Sequence, residues 1–564
     1  MVDRLVAARG IAADGRDQFL NPSLTDLERP WERIEYVAAA DAILAAAAVR
    51  RSIVIYGDYD VDGITSMAIL WHVLRVIAPE APLRTYVPHR MAEGYGLNGE
   101  AIELFAREGV TLVITVDCGV TAVAEAERAR ELGVELIITD HHRPREDGRL
   151  PDVPNIVHPS LPGREHRFPE VCGAVVAWKL AWAILDRHAG SPENHRLPAV
   201  LRDLLSSLLP LAAIGTVADV MPLMGENRAI VSRGLRGISN TGNEGLNALL
   251  TLVDVGKHID SETIGFRLAP RLNAVGRLGS AEAAVRLLTT ATGRECHEIV
   301  RELDLLNEER RRTERAIFTE AMAMVKERGF DGDDHRAIVL ASPNWHAGVV
   351  GIVCSRLVDV FARPTILMQQ MDGICKGSGR SIHGFSLMDA IQACGERPLK
   401  SGGHAHAAGL TIASDRCEAF TRAFIDYATS KLAVEDLVAA ITVDATAEIG
   451  ELDLKSVMAC ESLAPFGRGN PRPTVRLDDV VITAPPRLMG KDGRHLMMHL
   501  RHADHSPPAG AGAQTFIKAK WWSGRDYLPR LTPGVPLDVV VEPKIDRYLG
   551  NESVEVEIRD ARLH

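Results

Sequence analysis

The chain has 564 residues, a length that corresponds to three or four domains at roughly 150 residues each. Hydrophobic residues make up 46% and charged residues 25%, which is typical of a folded globular protein and excludes a disordered, collagenous or coiled-coil chain. The formal net charge of −11 excludes a protein that coats nucleic acid through its whole surface, although it allows a local basic groove.

The first half of the chain alternates short apolar runs with helical patterns. Residues 52–56, 112–116 and 136–139 are rich in β-branched residues and are separated by stretches rich in Ala and Glu. This alternation predicts neighbouring strands of a parallel, doubly wound sheet with helices between them. We therefore expect the first domain to be of the α/β class.

Acidic residues and histidines follow each predicted strand. They are, in chain order, Asp58, Asp60 and Asp62 after the first strand, Asp117 after the second, Asp140, His141 and His142 after the third, and Asp219 after a later apolar run. Because open α/β sheets place their ligands at the carboxyl ends of the strands, we expect these side chains to gather at one edge. Oxygen and imidazole ligands without thiolate favour Mn²⁺ or Mg²⁺, and this number of acids suits two ions rather than one.

Each of these positions alone has a simpler explanation. An Asp after a strand is more often the N-cap of the next helix than a metal ligand. The spacing of the first three acids also resembles the start of a calcium-binding EF-hand loop, but the position of its bidentate Glu is occupied by Ile69. The coincidence of all four groups is what favours a metal site.

Residues 298–328 contain neither Pro nor Gly and are rich in both Lys/Arg and Asp/Glu. This pattern predicts a long charged helix that bridges two lobes, and the alternative is a helix that grips nucleic acid. A second α/β pattern follows, with strands at 337–340 and 365–368 and helices at 348–361 and 387–394. The last region predicts a small β-barrel, because its strands are separated by Gly and Pro turns. Those strands are 474–483, 495–501, 514–521 and 536–543.

Two glycine-rich runs in the second half suit a phosphate group. Residues 376–381 combine Gly and Ser with Arg380, and residues 402–404 end in His404. Small residues let backbone N–H groups approach an anion, and a guanidinium can hold phosphate through two hydrogen bonds. Taken alone, both runs are more commonly turns.

The C-terminal region supplies a local basic and aromatic surface. Lys518, Lys520, Trp521 and Trp522 interleave the charges and rings that single-strand binding requires for backbone tracking and base stacking. A tryptophan in a small barrel is usually a core residue. We therefore expect one of the two tryptophans to be buried and the other exposed, without the sequence deciding which.

Several segments resemble the motifs of a known superfamily. Residues 57–62, 116–119, 139–142 and 215–222 are similar to the four motifs of the DHH phosphoesterases. Further segments resemble motifs of the RecJ family within that superfamily and occur in the same order as in the family. Together the matching segments extend over nearly the whole chain. They are residues 89–98, 270–277, 345–352, 377–387, 401–409 and 465–471.

This resemblance implies an α/β fold with a parallel-sheet DHH domain, a long connecting helix, an α/β DHHA1 domain and a C-terminal OB-fold β-barrel. In the implied division of the chain, the N-terminal segment and the DHH domain form one unit. The expected boundaries are 1–297 for that first unit, 298–330 for the connecting helix, 331–435 for the DHHA1 domain and 436–564 for the OB-fold.

The activity implied by the resemblance is that of a single-stranded-DNA-specific 5′→3′ exodeoxyribonuclease. Such an enzyme hydrolyses phosphodiesters to mononucleotides in DNA repair and recombination, with two Mn²⁺ or Mg²⁺ ions as cofactors. The implied partners are single-stranded DNA, a single-strand-binding protein and a RecQ-type helicase. We expect a monomer without a membrane segment in the cytoplasm, since the eight cysteines are scattered and residues 1–10 show no signal peptide.

The resemblance also assigns roles to residues. The implied metal ligands are Asp58, Asp60, Asp62, Asp117, His141 and Asp219, with Asp117 between the ions. His142 is expected to face the phosphate, and Asp140 is either a ligand or a group that orients a histidine. The catalytic set is Asp60, Asp62, Asp117, His141, His142 and Asp219. Phosphate or DNA contacts are implied for His142, Arg271, Arg277, Ser378, Arg380, Ser381 and His404, and OB-fold contacts for Lys518, Lys520, Trp521 and Trp522.

Two other functions fit the same motifs. One is another DHH enzyme, such as an oligoribonuclease, a cyclic-dinucleotide phosphodiesterase or a pyrophosphatase, and the predicted C-terminal barrel argues for a longer substrate. The other is a non-catalytic DHH scaffold of replication, which the presence of every ligand residue argues against. For Arg271 and Arg277 the alternative is a salt bridge within the domain. The sequence leaves open the polarity, the choice of DNA over RNA and the preferred ion.

Overall fold

The computed structural model describes residues 2–90, 93–190, 194–254, 259–395, 398–438, 440–490, 492–503, 516–547 and 552–564. The helices are α1 (Val2–Ala8), α2 (Arg16–Leu20), α3 (Ile34–Ala48), α4 (Val61–Ile77), α5 (Gly99–Arg107), α6 (Val123–Glu131), α7 (Gly173–His188), α8 (Ala199–Ser207), α9 (Leu209–Ala218), α10 (Gly225–Ile238), α11 (Glu244–Leu252), α12 (Ser261–Thr263), α13 (Ala269–Leu278), α14 (Glu282–Thr289), α15 (Arg294–Arg328), α16 (Ala347–Phe361), α17 (Leu387–Ala393), α18 (Cys417–Lys431) and α19 (Leu454–Glu461).

The strands are β1 (Ile53–Gly57), β2 (Leu83–Tyr86), β3 (Leu112–Val116), β4 (Glu135–Thr139), β5 (Asn155–Val157), β6 (Ile338–Ser342), β7 (Thr365–Met371), β8 (Ile374–Arg380), β9 (Lys400–His404), β10 (Ala407–Ala413), β11 (Ala445–Thr446), β12 (Val475–Ile482), β13 (Arg487–Met489), β14 (His495–His502), β15 (Ile517–Trp521), β16 (Pro536–Asp546) and β17 (Ser553–Leu563).

The first domain contains a parallel sheet with strand order β2-β1-β3-β4-β5. Side chains of β1 alternate between two cores: Ile53 and Ile55 pack with α4 and α7, whereas Val54 and Tyr56 pack with α5 and α6. This arrangement confirms the doubly wound sheet. Strands β1, β3 and β4 were predicted from the sequence, whereas the edge strands β2 and β5 were not, because they have only four and three residues.

The long helix α15 links the first domain to the second. Near its start, Ile299 and Leu303 belong to the core of the DHH lobe, and near its end Ile317 and Val325 belong to the core of the next lobe. The helix ends at Gly329, whose φ of +67° is the left-handed conformation common at a helix C-terminus. The predicted bridging helix is therefore present as one 35-residue element.

The second domain has a mixed sheet of order β6-β7-β8-β10-β9, in which only the β6–β7 pair is parallel among the described strands. The glycine-rich run 376–381 lies mostly in strand β8, so its interpretation as a turn is wrong. A Cβ atom at Gly377 would lie 2.5 Å from the carbonyl oxygen of Leu367 on the neighbouring strand. Glycine at this position permits close strand packing and at the same time hides the strand from sequence patterns.

The last domain is a small barrel. Its sheet has the order β11-β12-β16-β17-β15-β14-β13, and an additional β12–β14 pairing closes five of these strands into a ring. This ring is the OB-fold expected from the sequence. The predicted strand 514–521 begins at Ile517, while residues 514 and 515 lie outside the described residues, as do residues 91 and 92 of the 89–98 motif.

The segment that enters the barrel is fastened to the start of the chain. Arg9 donates from Nε to Asn470 Oδ1 at 2.8 Å and from Nη2 to the Pro471 carbonyl at 2.8 Å. Leu5 and Phe19 share a small hydrophobic core with Leu463 and nearby side chains. The first and last domains are thus joined directly as well as through the DHHA1 domain.

One stretch of the described chain, Ala199–Ala218, is long and apolar enough to cross a membrane by length and composition. It comprises α8 and α9. Buried residues make up 56% of its most apolar window, as expected for a core helix of a folded domain. The membrane-spanning interpretation therefore has weak support.

Candidate metal centre and nucleic-acid channel

The turn between β1 and α4 carries three carboxylates. Asp60 caps α4, since its Oδ1 accepts hydrogen bonds from the backbone N–H groups of Asp62 at 2.9 Å and Gly63 at 3.1 Å. The cap uses one carboxylate oxygen and leaves the other for a cation. A Cβ atom at Gly63 would lie 2.5 Å from the carbonyl oxygen of Asp58, so glycine allows the turn to fold back tightly.

Asp62 is held by the N-terminus of α7. Its Oδ2 accepts from the Gly173 N–H at 2.6 Å and its Oδ1 from the Ala174 N–H at 2.8 Å. A helix N-terminus favours a negative charge, so the helix both orients the carboxylate and stabilises its ionised form. Gly173 is required here, because a Cβ atom would lie 2.7 Å from the Cβ of Asp117.

Asp117 and His141 lie at the centre of the cluster. His141 Nε2 is 3.0 Å from Asp117 Oδ1, 3.6 Å from Asp62 Oδ2 and 3.7 Å from Asp219 Oδ2. Asp117 adopts a φ of +59°, a left-handed conformation that turns the chain at the end of β3. Three strand ends and the C-terminus of α9 therefore bring together ligand candidates that are far apart in the sequence.

Asp140 is occupied by hydrogen bonds on both oxygens. Its Oδ2 accepts from the Val120 N–H at 2.9 Å, and its Oδ1 accepts from the His141 N–H at 2.7 Å and lies 2.8 Å from His142 Nδ1. These contacts favour the orienting role over the ligand role that the sequence left open. Asp140 orients the imidazole ring of His142 through the contact with Nδ1.

The charge of Asp140 also determines the state of His142. Burial opposes protonation, but the hydrogen bond from His142 to Asp140 and the surrounding carboxylates raise the pKa of His142 to about 9. With Nδ1 directed at Asp140, Nε2 is the ring nitrogen that remains for a substrate or for the Tyr95 hydroxyl, which lies 3.0 Å away. His142 is therefore suited to contact an anionic group.

The buried carboxylates repel one another. Burial raises the pKa of Asp58, Asp117 and Asp219 well above the ordinary aspartate value, and the charges of neighbouring carboxylates raise it further. Within the described part of the chain, four buried ligand atoms have no hydrogen-bond partner: Asp58 Oδ1, Asp117 Oδ1, Asp219 Oδ2 and His141 Nε2. A divalent cation would satisfy these atoms and offset the repulsion.

The ligand atoms form three groups, each with its atoms within 4.8 Å of one another. The groups are Asp58, Asp60 and Asp117; Asp62, His141 and Asp219; and Asp117, His141 and His142. The third group links the other two, because it shares Asp117 with the first and His141 with the second, so two ions could be held side by side. Oxygen donors with imidazole fit Mn²⁺ or Mg²⁺.

Arginines from both lobes face the cleft beside this cluster. Arg277 donates from Nη1 to the Gly348 carbonyl of the second lobe at 3.0 Å. Burial and the nearby charges of Arg90, Arg310 and Arg380 lower the pKa of Arg277 to about 10. Such a concentration of like charge is costly unless an anion such as phosphate lies among them.

The residues of strand β8 are arranged around Arg380. Arg380 Nη1 donates to Ser378 Oγ at 3.1 Å and to the Gly379 carbonyl at 2.7 Å, while Ser381 Oγ donates to the Phe385 carbonyl at 2.7 Å. His404 is exposed on the edge strand β9, and partial burial of its ring together with the charges of Arg143, His406 and Arg380 lowers its pKa. Ser378 Oγ also donates to the Ala408 carbonyl at 3.3 Å, so both serine hydroxyls are engaged within the fold.

Other residues expected to bind DNA are engaged elsewhere. Arg271 pairs with Asp304 at 2.9 Å, which is the intradomain salt bridge considered as its alternative. Lys518 and Lys520 both pair with Glu555, at 3.1 and 2.6 Å, so their charges are compensated by the barrel's own residues, on the face of β15 opposite its core. These contacts argue against a direct DNA contact for the three residues.

The two adjacent tryptophans differ in exposure. Trp521 is 5% exposed and stacks on Tyr527 with ring centroids 4.5 Å apart, whereas Trp522 is 47% exposed beside His495. Trp522 is therefore the ring that can stack on a base.

Three cleft residues were not singled out from the sequence. Arg90 lies over the Tyr59 ring at 4.9 Å, Tyr95 contacts His142, and Arg468 donates to the Val220 carbonyl at 3.4 Å next to Asp219. All three lie in segments that carry the family resemblance, 89–98 and 465–471. Closer attention to the charged and aromatic residues in those segments could have found them.

A parallel sheet whose strand ends carry this set of aspartates and histidines, followed by the second mixed sheet, defines a DHH-type phosphoesterase. Family models support each part of the chain: the DHH family N-terminal domain matches residues 52–216, the DHHA1 domain 334–430 and the RecJ OB domain 443–560. The chain belongs to the RecJ family.

The assignment to this family rests on relatives that align with nearly the full length of the chain. The chain is 37% identical over 568 residues to the single-stranded-DNA-specific exonuclease RecJ of Bacillus subtilis (strain 168), covering 100% of this chain and 68% of that protein. It is 32% identical to the Escherichia coli (strain K12) protein of the same name, covering 99% and 94%. These relatives do not favour the other DHH enzymes or the replication scaffold.

A solved structure agrees with the fold and the cofactor. The crystal structure of RecJ in complex with Mn²⁺ from Thermus thermophilus matches with a TM-score of 0.79 and 31% identity, covering 99% of this chain and 75% of that one. A Mg²⁺ complex from the same organism matches with a TM-score of 0.74, 29% identity and coverage of 99% and 74%. Mn²⁺ or Mg²⁺ is accordingly the cofactor for which the acidic cluster is built.

Proposed function

We propose that the chain is a metal-dependent exonuclease that degrades single-stranded DNA from the 5′ end to mononucleotides. The observation that carries the proposal is the pair of ligand groups that meet at Asp117 and His141, whose facing atoms lie 3.0 Å apart. One ion would be held by Asp58, Asp60 and Asp117, and the second by Asp62, His141 and Asp219, with Asp117 between them.

Two divalent ions bound there would lower the pKa of a water molecule and stabilise the negative charge that develops on the phosphate. The protein residues position the strand for that chemistry. His142 donates from Nε2 to a phosphate oxygen, since its Nδ1 is held by Asp140. Arg277 and Arg380 neutralise the phosphodiester from the side of the second lobe.

The proposed path of the strand runs through a cavity beside the metal centre. A cavity of about 540 Å³ is lined by residues of the first domain, α15, the second domain, residues 466–472 and the barrel. A strand in this position contacts every domain at once, and the exposed Trp522 offers a stacking surface on the barrel. The proposed domain boundaries are 1–297, 298–330, 331–435 and 436–564.

The cellular setting follows from the substrate. We place the enzyme in the cytoplasm as a monomer that acts on strands exposed during repair and recombination. A single-strand-binding protein and a RecQ-type helicase are the partners that would present such strands.

Polarity is tested by digesting single strands labelled at one end. With a 5′ label, the first product should be a labelled mononucleotide, whereas a 3′ label should shorten progressively in the presence of Mn²⁺ or Mg²⁺. The reverse pattern would overturn the 5′→3′ assignment. An RNA strand of the same sequence, digested in parallel, measures the choice of sugar.

Replacing Arg380 with Ala should reduce hydrolysis of 5′-phosphorylated strands more than that of 5′-hydroxyl strands. A terminal phosphate carries more charge than an internal diester, so it loses more from removal of a guanidinium. The expected loss in kcat/KM is about ten- to a hundredfold. Arg422→Ala, on an exposed helix of the same domain, is the matched control. An unchanged ratio between the two substrates would show that Arg380 grips an internal phosphate.

A further inference from the structure

The cavity beside the metal centre has an apolar wall. Val220 and Met221 directly follow the ligand candidate Asp219, and Phe266 and Ile352 approach from the first and second domains. The volume of about 540 Å³ lies within the range of small-molecule and cofactor sites, roughly 300–1,000 Å³. The space is thus large enough for a planar ring next to the reacting phosphate.

Two side chains of this wall are exposed at an energetic cost. Phe266 is 79% exposed and lies in a π-helical turn, Ile264–Leu268, a distortion that occurs frequently at functional sites. Val220 is 60% exposed and has a φ of +55°, which is strained for a β-branched residue. Neither residue gains burial from the fold, so both are suited to contact a ligand.

Charged side chains also line the cavity, five arginines and two glutamates. Arg472 pairs with Glu262 at 3.5 Å and Arg559 with Glu542 at 2.6 Å, so the charges that remain for a ligand come from the other three arginines. The Arg310 side chain is 11% exposed and donates from Nη1 to Glu314 at 3.0 Å and from Nη2 to Asn307 Oδ1 at 3.1 Å. It differs from Arg271, whose Nε donates to Asp304, because the Nε of Arg310 is buried without a hydrogen-bond partner among the described residues. Arg468 donates to the carbonyl of Val220 and makes no ion pair in the described part of the chain. The apolar wall therefore faces groups that would bind a phosphate.

We infer that this cavity is a nucleotide subsite, in which Phe266 stacks on a base of the bound strand and Arg310 binds the adjoining phosphate. An aromatic surface next to arginines matches the alternating bases and phosphates of a single strand. The occupant is a nucleotide of the same DNA strand that reaches the metal centre, so the inference rests on the proposed function. It assigns a substrate-binding role to the connecting helix, which carries Arg310.

The inference is tested with strands that lack a single base. Abasic sites are placed one at a time at successive positions from the 5′ end, and kcat and KM are measured for the wild type and Phe266→Ala. In the wild type, one position should raise KM about five- to a hundredfold, as expected for the loss of one base–aromatic stack. Phe266→Ala should show that increase on the intact strand and no further increase at that position.

Control variants separate stacking from general damage. Phe266→Trp should restore the low KM, and Leu305→Ala, an exposed apolar residue of α15 outside the cavity lining, should leave it unchanged. Arg310→Gln should raise KM, whereas Arg311→Gln on the exposed side of the same helix should not. Equal sensitivity of the wild type and Phe266→Ala to every abasic position would overturn the inference. Failure of the wild type to degrade an intact single strand would instead contradict the proposed function.

Discussion

Replacing Asp117 with Asn is expected to lower hydrolysis of single-stranded DNA by roughly three orders of magnitude and to leave the fold intact. The variant removes a carboxylate of the first ligand group that lies 3.0 Å from His141 of the second group, and it reduces the repulsion among the buried acids. Asn also tolerates the φ of +59° at this position better than most residues do. Steady-state rates and thermal unfolding of the variant without metal check both parts of the expectation.

Asp254→Asn is the matched control, because Asp254 is exposed and has a φ of +46° but lies outside the cluster. It should have the activity of the wild type. Near-normal turnover by Asp117→Asn would contradict the two-ion arrangement. A large fall in its unfolding temperature would show that Asp117 acts on the fold instead.

Chelation with EDTA is expected to reduce activity to the level of an enzyme-free reaction without unfolding the chain. The described cores consist of apolar side chains packed between sheets and helices, so the fold does not depend on a bound ion as a zinc finger does. Circular dichroism should therefore be unchanged. Adding Mn²⁺ or Mg²⁺ should restore hydrolysis.

Binding of the ion should also stabilise the folded state. At a free concentration of a hundred times Kd, a ligand of the native state adds about 2.7 kcal/mol to the free energy of unfolding. The unfolding temperature of the wild type should therefore rise with Mn²⁺, and that of Asp117→Asn should rise much less. Cooperative unfolding on addition of EDTA alone would show that the ions are structural.

The gathering of the candidate metal ligands at one edge of the sheet was largely predictable, because these residues follow strands that are easy to recognise in the sequence. Asp58, Asp117 and His141 each lie at the end of a buried run, and parallel strands bring such ends together. The sequence could not show which carboxylate oxygens accept hydrogen bonds from the protein and which remain for a cation. Asp60 and Asp140 have the same chemistry, yet one keeps an oxygen for a cation and the other uses both oxygens within the protein.

The second half of the chain was harder to predict for two physical reasons. Strand β8 contains Gly377 and Gly379, whose missing side chains permit close packing but remove the apolar alternation that marks a strand. Ion pairs depend on distant segments: Asp304 compensates Arg271, and Glu555 compensates Lys518 and Lys520. A basic residue read from the sequence alone is indistinguishable from one whose charge is already neutralised.

The joint between the chain's beginning and the segment before the barrel turns the molecule into a closed loop. Arg9 and Phe19 on one side, and Leu463 and Asn470 on the other, complete a ring of domains around the cavity. A strand inside such a ring has to be threaded from a free end, and a covalently circular strand has no end to offer. Once threaded, the strand leaves only by sliding along its own length, so the number of nucleotides removed in one encounter depends on the rate of sliding relative to hydrolysis.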